Sequence, residues 1–159
     1  MKKLDKKKII SLTKIIHPFL MVDNIKNIVN LKSATGIKKI NKNSWFFKCH
    51  FTNQPMMPGT LLEEAMLQTI VATLYSSKKF KGKVCLITSS KTNFYSKVDK
   101  PTILNIDIKI LKITKLKVET SAIVKNYKNI KIASGNYNYF ISIKWETLNF
   151  QLSIPLWIL

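Results

Sequence analysis

The spacing of hydrophobic side chains divides this chain of 159 residues into a mixed region, one long helical segment and a series of strands. Residues 5–16 carry apolar side chains at helical spacing, which predicts a short amphipathic helix that Pro18 ends. Extended structure is predicted for the next three segments, which are FLMVDNIKNIV (19–29), ATGIKKI (34–40) and SWFFKCH (44–50).

From Thr60 to Tyr75 the pattern changes to that of a helix buried on all sides. The segment LLEEAMLQTIVATLY contains no glycine or proline and is apolar on nearly every face. Pro58 and Gly59 stand at its N-terminal edge, where proline is tolerated and backbone amides remain open. This segment is therefore predicted to be the central helix.

Alternating apolar positions predict strands over the rest of the chain. The strand segments are VCLITSS (84–90), ILNIDIKILKI (103–113), LKVETSAIV (116–124) and IKIASGNYNYFISI (130–143). Short connections between these strands indicate an antiparallel meander. One buried helix with a long antiparallel sheet gives an α+β fold in which the sheet wraps the helix. No repeat or linker divides the chain, so residues 1–159 are predicted to form a single domain.

A net charge of +19 raises the question of a nucleic-acid partner. All 27 basic residues are lysine, whereas base readout and phosphate clamps favour the planar fork of arginine. The lysines are also spread along the whole chain. A solvated lysine surface is therefore the favoured interpretation over nucleic-acid binding, and an acidic protein partner is the main alternative.

The remaining composition argues against a membrane or secreted protein. No apolar run approaches the ~18–20 residues that span a bilayer, and no small-residue cleavage site follows the basic N-terminus. Cys49 and Cys85 are too few for a disulfide framework and lack metal-ligand spacing. A cytoplasmic protein without a metal site is predicted.

Scarce ionisable groups are concentrated in the stretch CHFTNQPMMPGTLLEEAMLQ (49–68), which holds one of the two histidines and two of the eight acidic residues. Burial of Glu63 and Glu64 in an apolar helix is expected to raise the pKa of a carboxyl group and to give a neutral acid near pH 7. His50 can act as a base, and the helix N-terminus at Gly59 favours negative charge developing on an oxygen. These groups together could remove a proton beside a carbonyl and expel a β-hydroxyl.

The same stretch resembles the β-hydroxyacyl-acyl carrier protein dehydratases of type II fatty acid synthesis. The shared pattern HF-x-x-x-P-x-x-PG-x-L-x-x-EA-x-x-Q runs from His50 to Gln68, and HPFLMVD (17–23) and Asn93-Phe94 follow the family's order. The resemblance covers about residues 9–143. It implies a hotdog fold, in which a curved antiparallel sheet wraps a long central helix.

The resemblance also implies roles for individual residues. His50 would be the base, and Glu64 rather than Glu63 the acid, which places the chain with the Glu-bearing branch of the family. Gly59 would bind the thioester carbonyl. Each site would pair the histidine of one subunit with the glutamate of its dimer mate. Three such dimers could assemble further into a trimer of dimers. The substrate would be a 3-hydroxyacyl chain on acyl carrier protein, whose phosphopantetheine arm belongs to the substrate, so no cofactor is expected.

Other residues of the motif have two open interpretations each. Gln68 lies one turn beyond Glu64 and could orient the carboxyl group, or it could be a buried polar residue satisfied by backbone. Phe51, Met57 and Phe94 are candidates for support or for lining an acyl channel, with core packing as the alternative.

Departures from the family's pattern keep other functions open. Thr52-Asn53 replaces a Pro-Gly, Cys49 replaces a glycine, and Asp99-Lys100-Pro101 replaces a Pro-Gly-Asp turn. A hotdog thioesterase, a dehydratase of a specialised pathway, and a non-catalytic acyl-binding or assembly protein are the alternatives. The apolar segment 145–159 lies beyond the resemblance and is predicted to dock on the domain body or on a neighbouring subunit.

Overall fold

The computed structural model describes residues 2–142, and the predicted extension at 145–159 lies outside the described residues. These described residues form seven strands, two α-helices and two 3₁₀ turns. The strands are β1 (Lys2–Leu4), β2 (Asn24–Val29), β3 (Ser33–Ile40), β4 (Val84–Phe94), β5 (Thr102–Ile113), β6 (Lys117–Asn126) and β7 (Lys131–Ser142). The helices are α1 (Lys6–Thr13) and α2 (Gly59–Tyr75), and the 3₁₀ turns are Trp45–Lys48 and Lys78–Phe80.

The strands form one antiparallel sheet in the order β1-β2-β3-β5-β6-β7-β4. Strands β5, β6 and β7 form the predicted meander. Strand β4 departs from it, because β4 pairs with β7 and not with the strand that follows it in the chain. This places β4 at one edge of the sheet.

Helix α2 fills the concave side of the sheet and confirms the predicted central helix. Most of its apolar residues are buried, with Ala65, Met66 and Ile70 at 0% exposure, while Leu67, Val71 and Tyr75 are half-buried. Its buried threonines satisfy their own hydroxyl groups, since Thr69 and Thr73 each donate to the carbonyl four residues earlier at 2.7 Å. The helix can therefore carry polar side chains into the core without leaving them unpaired.

Two predicted elements near the N-terminus are shorter than expected. Helix α1 ends at Thr13, because Lys14 takes a left-handed conformation (φ 62°) and closes the helix before Pro18 is reached. Only residues 24–29 of the predicted extended segment form a strand. The residues before Asn24 instead run as an irregular segment against α2.

The prediction of extended structure at SWFFKCH (44–50) is wrong, because a 3₁₀ turn spans Trp45–Lys48. The Phe46 ring is buried and meets the rings of Trp45 and Phe47 edge to face, at 5.8 and 4.9 Å between centroids. A strand would alternate its side chains between two faces, whereas the turn gathers these three rings beside one another.

Candidate active site

His50 follows the 3₁₀ turn and is fixed by backbone bonds on both sides. Its amide donates to the Phe46 carbonyl at 2.9 Å, and its carbonyl accepts from the Met56 amide at 2.7 Å. The ring atom Nδ1 lies 3.1 Å from the Met56 carbonyl oxygen. A carbonyl can only accept, so Nδ1 carries a proton and donates it, and in the neutral ring the lone pair therefore lies on Nε2. The half-buried ring is thus held in the tautomer that a base requires.

The loop after His50 lacks the family's Pro-Gly but is closed by other contacts. The paired bonds between His50 and Met56 join its two ends, and the Met57 amide donates to the Val98 carbonyl at 2.8 Å. Thr52-Asn53 lies in the exposed part between these ends. The substituted residues therefore lie away from the backbone bonds that hold the imidazole.

Glu64 occupies the second turn of α2 and is half-buried. Burial raises the pKa of its carboxyl group, as the sequence predicts, and the nearby charge of Glu63 raises it further. A hydrogen bond from Gln68 acts in the opposite direction but does not outweigh burial. The carboxyl group consequently keeps its proton to a higher pH than an exposed glutamic acid does.

Gln68 is hydrogen-bonded both to backbone groups and to the Glu64 carboxyl group. Its Oε1 accepts from the Met21 amide at 2.8 Å, and its Nε2 donates to the Phe19 carbonyl at 2.8 Å. These backbone partners fix which end of the amide is which, since the Met21 amide can only donate and the Phe19 carbonyl can only accept. The second Nε2 hydrogen then goes to Glu64 Oε1, also at 2.8 Å. A proton on Glu64 is therefore directed to the other oxygen, Oε2.

The N-terminus of α2 is shaped by a glycine that the ring of Phe94 approaches closely. A Cβ at Gly59 would lie 3.1 Å from two atoms of that ring, so a side chain there would push the ring away. The amides of Leu61 and Leu62 bond to the Pro58 carbonyl. Within residues 2–142, no hydrogen bond is recorded from the amides of Gly59 and Thr60, which are the open donors expected at a helix start.

The candidate channel residues differ in their exposure. Met57 is 3% exposed and belongs to the hydrophobic core, which favours packing as its role within one protomer. Phe94 and Phe51 are 50% and 54% exposed. The centroid of the Phe51 ring lies 4.0 Å from the centroid of the His50 imidazole. These two aromatic rings are accessible at the two ends of the candidate site.

Within one protomer His50 and Glu64 are not bonded to each other. Among residues 2–142, no ion pair within 4.0 Å and no hydrogen bond joins the two side chains. The neighbouring Glu63 is half-buried and forms no ion pair with any of these residues. The sequence motif identifies both side chains, but it does not reveal the backbone groups that position the His50 ring and the Gln68 amide. The Met56 carbonyl and the backbone of Phe19 and Met21 carry no side-chain signal, so sequence reasoning missed them.

The family is decided by comparison with known proteins. A family profile described as a FabA-like domain matches residues 16–132, which is more than half of the chain. The chain belongs to the FabA-like family. Two curated relatives of this FabA-like chain are named 3-hydroxyacyl-[acyl-carrier-protein] dehydratase FabZ, a hydro-lyase. The protein of Clostridium botulinum (strain Loch Maree / Type A3) is 38% identical over 98 residues, which is 61% of this chain and 68% of the relative. The protein of Clostridium novyi (strain NT) is 37% identical over 97 residues, or 60% and 68%.

Solved structures identify the fold of the FabA-like chain as the hotdog fold. The dehydratase heterocomplex ApeI:P from Xenorhabdus doucetiae matches with a TM-score of 0.73 at 12% identity, over 89% of this chain and 95% of that one. A hypothetical thioesterase with coenzyme A from Streptococcus pneumoniae TIGR4 matches with a TM-score of 0.59 at 12% identity, over 74% and 84%. At this identity the likeness concerns the fold alone, which is the predicted helix wrapped by an antiparallel sheet. No helix within residues 2–142 has both the length and the apolar character needed to cross a membrane.

Proposed function

We propose that this FabA-like protein dehydrates (3R)-hydroxyacyl chains on acyl carrier protein to trans-2-enoyl thioesters. The names of its FabZ relatives support the substrate and the reaction. The observation that carries the proposal is that the hydrogen bonds of His50 suit a proton acceptor and the environment of Glu64 suits a proton donor. Because Nδ1 donates to Met56, the lone pair of the neutral His50 ring lies on Nε2, while the raised pKa of Glu64 favours a retained proton, which Gln68 directs to Oε2.

In the proposed reaction the two groups move protons in opposite directions. His50 Nε2 takes the proton from the carbon beside the thioester carbonyl, and the electron pair moves toward the carbonyl oxygen. Glu64 Oε2 gives its proton to the β-hydroxyl group, which leaves as water while the carbon–carbon double bond forms. His50 ends as imidazolium and Glu64 as carboxylate, and a proton passed from one to the other through solvent restores both.

The start of α2 would stabilise the intermediate charge. Negative charge that develops on the thioester oxygen would be stabilised by the open Gly59 amide and by the N-terminal end of the helix dipole. Close packing of Phe94 on Gly59 would help to exclude water there. The proposed steps need no metal and no redox cofactor, since the phosphopantetheine arm arrives with the substrate.

We propose further that each site is completed by a second copy of the chain. His50 and Glu64 do not meet in one protomer, so one subunit would supply the base and its mate the acid. The edge strand β4 supports this arrangement, because within the described residues it pairs on one side only and its middle is exposed on both faces. Pairing of two β4 edges would cover these open backbone groups. Whether dimers assemble further stays an expectation from the family resemblance.

The proposal is tested by an assay of the purified protein on 3-hydroxyacyl and enoyl thioesters of acyl carrier protein. Absorbance of the enoyl thioester is expected from the wild type and is expected to be almost absent in His50→Ala and Glu64→Gln. Release of free thiol without enoyl absorbance would instead indicate a thioesterase. Unchanged activity in both variants would refute the assigned roles.

Mixing the two inactive variants tests the shared site. A heterodimer of His50→Ala and Glu64→Gln subunits has both defects in one site and neither in the other. Random mixing of refolded subunits is therefore expected to restore about a quarter of the wild-type activity, since about half of the dimers are mixed and each has one intact site. No recovery, with dimers verified by light scattering, would contradict a site built from two subunits.

A further inference from the structure

An irregular segment binds the Gln68 amide, and contacts with α2 alone do not explain what fixes that segment in place. The Phe19 carbonyl and the Met21 amide bind opposite ends of Gln68, yet residues 19–23 belong to no helix or strand except for their exit into β2 at Asn24. A segment without regular backbone bonds needs other partners to keep two groups aimed at one amide. Those partners come from strand β3.

Lys38 of β3 reaches the segment at the peptide that joins Leu20 to Met21, whose amide donates to Gln68. Its Nζ donates to the Leu20 carbonyl at 3.0 Å, and its side chain is only 14% exposed. The same Nζ lies 3.8 Å from Asp23 Oδ1. The Leu20 carbonyl and the Met21 amide belong to one peptide group, so Lys38 binds the same peptide that donates to Gln68.

Asp23 fastens the other end of the segment to the same strand. Its Oδ2 accepts from the Lys39 amide at 2.7 Å, and its own amide donates to the Ile37 carbonyl at 2.8 Å. A chain of contacts thus runs from β3 through Lys38 and Leu20 to Gln68 and then to Glu64 Oε1.

We infer that Lys38, paired with Asp23, is a positioning residue for the carboxyl group of Glu64, acting through the Leu20 peptide and the Gln68 amide. The inference rests on the proposed role of Glu64 as the acid. Lys38 touches neither Glu64 nor any group that would meet substrate. Its effect would be to limit the orientations that the Gln68 amide and the carboxyl group can take.

The surroundings of the Lys38 ammonium group are those of a buried, paired charge and not those of a solvated surface lysine. Burial lowers the pKa of its ammonium group, and the charge of Lys6 lowers it further, while Asp23 acts in the opposite direction. A lysine is seldom kept in such a place unless its charge is paired and bonded. The Leu20 carbonyl and the Asp23 carboxylate supply both conditions.

The test compares Lys38→Met with its neighbour Lys39→Met. The first removes the ammonium group but keeps most of the side-chain volume, and the second removes an equal charge from the exposed next position. For Lys38→Met we expect kcat to fall about tenfold to a hundredfold with KM within about twofold, as for loss of an outer-shell partner. Lys39→Met should keep the wild-type kcat, and Lys38→Arg, which keeps the charge, should recover most of it. Equal effects of the two methionine variants would overturn the inference.

A double-mutant cycle tests whether the effect passes through Gln68. In a Gln68→Ala background, Lys38→Met should lower kcat by no more than about twofold, because the connection is already broken. Losses that multiply in the double variant would mean that Lys38 acts by another route and would overturn the proposed connection. If Lys38→Met does not fold, Asp23→Asn removes the ion pair and keeps an acceptor for the Lys39 amide, and the same fall in kcat at constant KM is expected.

Hydrogen exchange of the Met21 amide separates this inference from the proposed function. Since that amide bonds to Gln68, Lys38→Met should speed its exchange roughly tenfold, while Lys39→Met should not. This readout needs no catalytic activity. A wild type without dehydratase activity would refute the proposed function, whereas unchanged Met21 exchange in folded Lys38→Met would refute the positioning by Lys38.

Discussion

At Glu64 the proposed role as the catalytic acid and the stability of the fold oppose each other. The pKa of Glu64 is raised in the folded protein, first by burial, so the folded state binds the proton more tightly than the unfolded chain does. Stability from this group is therefore complete below the unfolded pKa and is lost as pH rises through the folded pKa. At neutral pH the buried carboxyl group lowers stability relative to an uncharged side chain.

Glu64→Gln is accordingly expected to raise the melting temperature at pH 8 relative to wild type, while abolishing most of the activity. Gln68 can still donate to the new amide oxygen, so the local contacts are kept. The gain should shrink as pH falls toward 4, where the wild-type carboxyl group is protonated. Thermal unfolding at both pH values measures the difference, and Glu63→Gln is the matched control. A melting-temperature gain from Glu64→Gln that grows toward acid pH would contradict the sign of the pKa shift.

At Gly59 the space for a side chain is limited by the Phe94 ring, and the backbone is not in the left-handed region. Alanine is a better helix former than glycine, so Gly59→Ala should not weaken α2 itself. The added methyl group would meet the ring at 3.1 Å, so the ring would have to shift by a few tenths of an ångström at the helix start. We expect kcat to fall about tenfold or more, since the carbonyl-binding amide would be displaced or newly exposed to water.

Phe94→Leu provides the test of that mechanism. If steric displacement of the ring causes the loss, Gly59→Ala combined with Phe94→Leu should be more active than Gly59→Ala alone. Steady-state assays of the two single variants and the double variant decide the point. A double variant less active than both singles would show that the ring and the glycine act separately.

At the scale of elements, the approach of β3 to α2 depends on one glycine. A Cβ at Gly36 would collide with the side chain of Thr69, which is wholly buried in α2. Gly36→Ala should therefore force the strand and the helix apart and lower the free energy of unfolding by about 1–3 kcal/mol. Urea unfolding measures this change.

Thr69→Ala removes the atoms that the new methyl group would meet. The double variant Gly36→Ala/Thr69→Ala is expected to be more stable than the sum of the two single losses predicts, because the clash is relieved. Strict additivity would mean that the alanine at position 36 acts through strand conformation and not through contact with the helix.

The sequence predicted the elements whose pattern is local and missed those set by distant contacts. Alternation placed β5 within one residue, at Thr102–Ile113, and the apolar run placed α2 within one residue of Gly59–Tyr75. The pairing of β4 with β7 involves strands far apart in the chain, so the order of strands could not be read from neighbouring segments. The aromatic run from Trp45 has the composition of a strand. Its turn depends on the burial of Phe46 in the core, which the local pattern does not show.

The site divides in the same way. His50 and Glu64 were found because a motif of side chains specifies them. The irregular segment that clamps Gln68 lies 47 and 49 residues away in the chain and acts through its backbone, which any side chain could supply. Physical contacts of this kind leave little trace in one sequence.

At the scale of the whole molecule, the lysine surface remains largely unneutralised. The net charge is +19, and within residues 2–142 only Lys38–Asp23 and Lys97–Asp99 bring a lysine within 4.0 Å of an acidic side chain. Such a field attracts an acidic carrier protein over distances comparable to the Debye length, which is about 10 Å at 0.1 M salt and about 3 Å at 1 M. Salt should therefore slow the encounter without altering the chemistry at the site.

We expect kcat/KM for a hydroxyacyl chain on acyl carrier protein to fall by about tenfold or more between low salt and 0.5 M salt, with kcat nearly constant. The matched control is the same hydroxyacyl group on a small uncharged thiol, which carries no acidic surface and should show almost no salt dependence. Equal salt dependence for both substrates would mean that salt acts on the protein or its assembly. A carrier-bound substrate insensitive to salt would show that the lysines serve solvation alone.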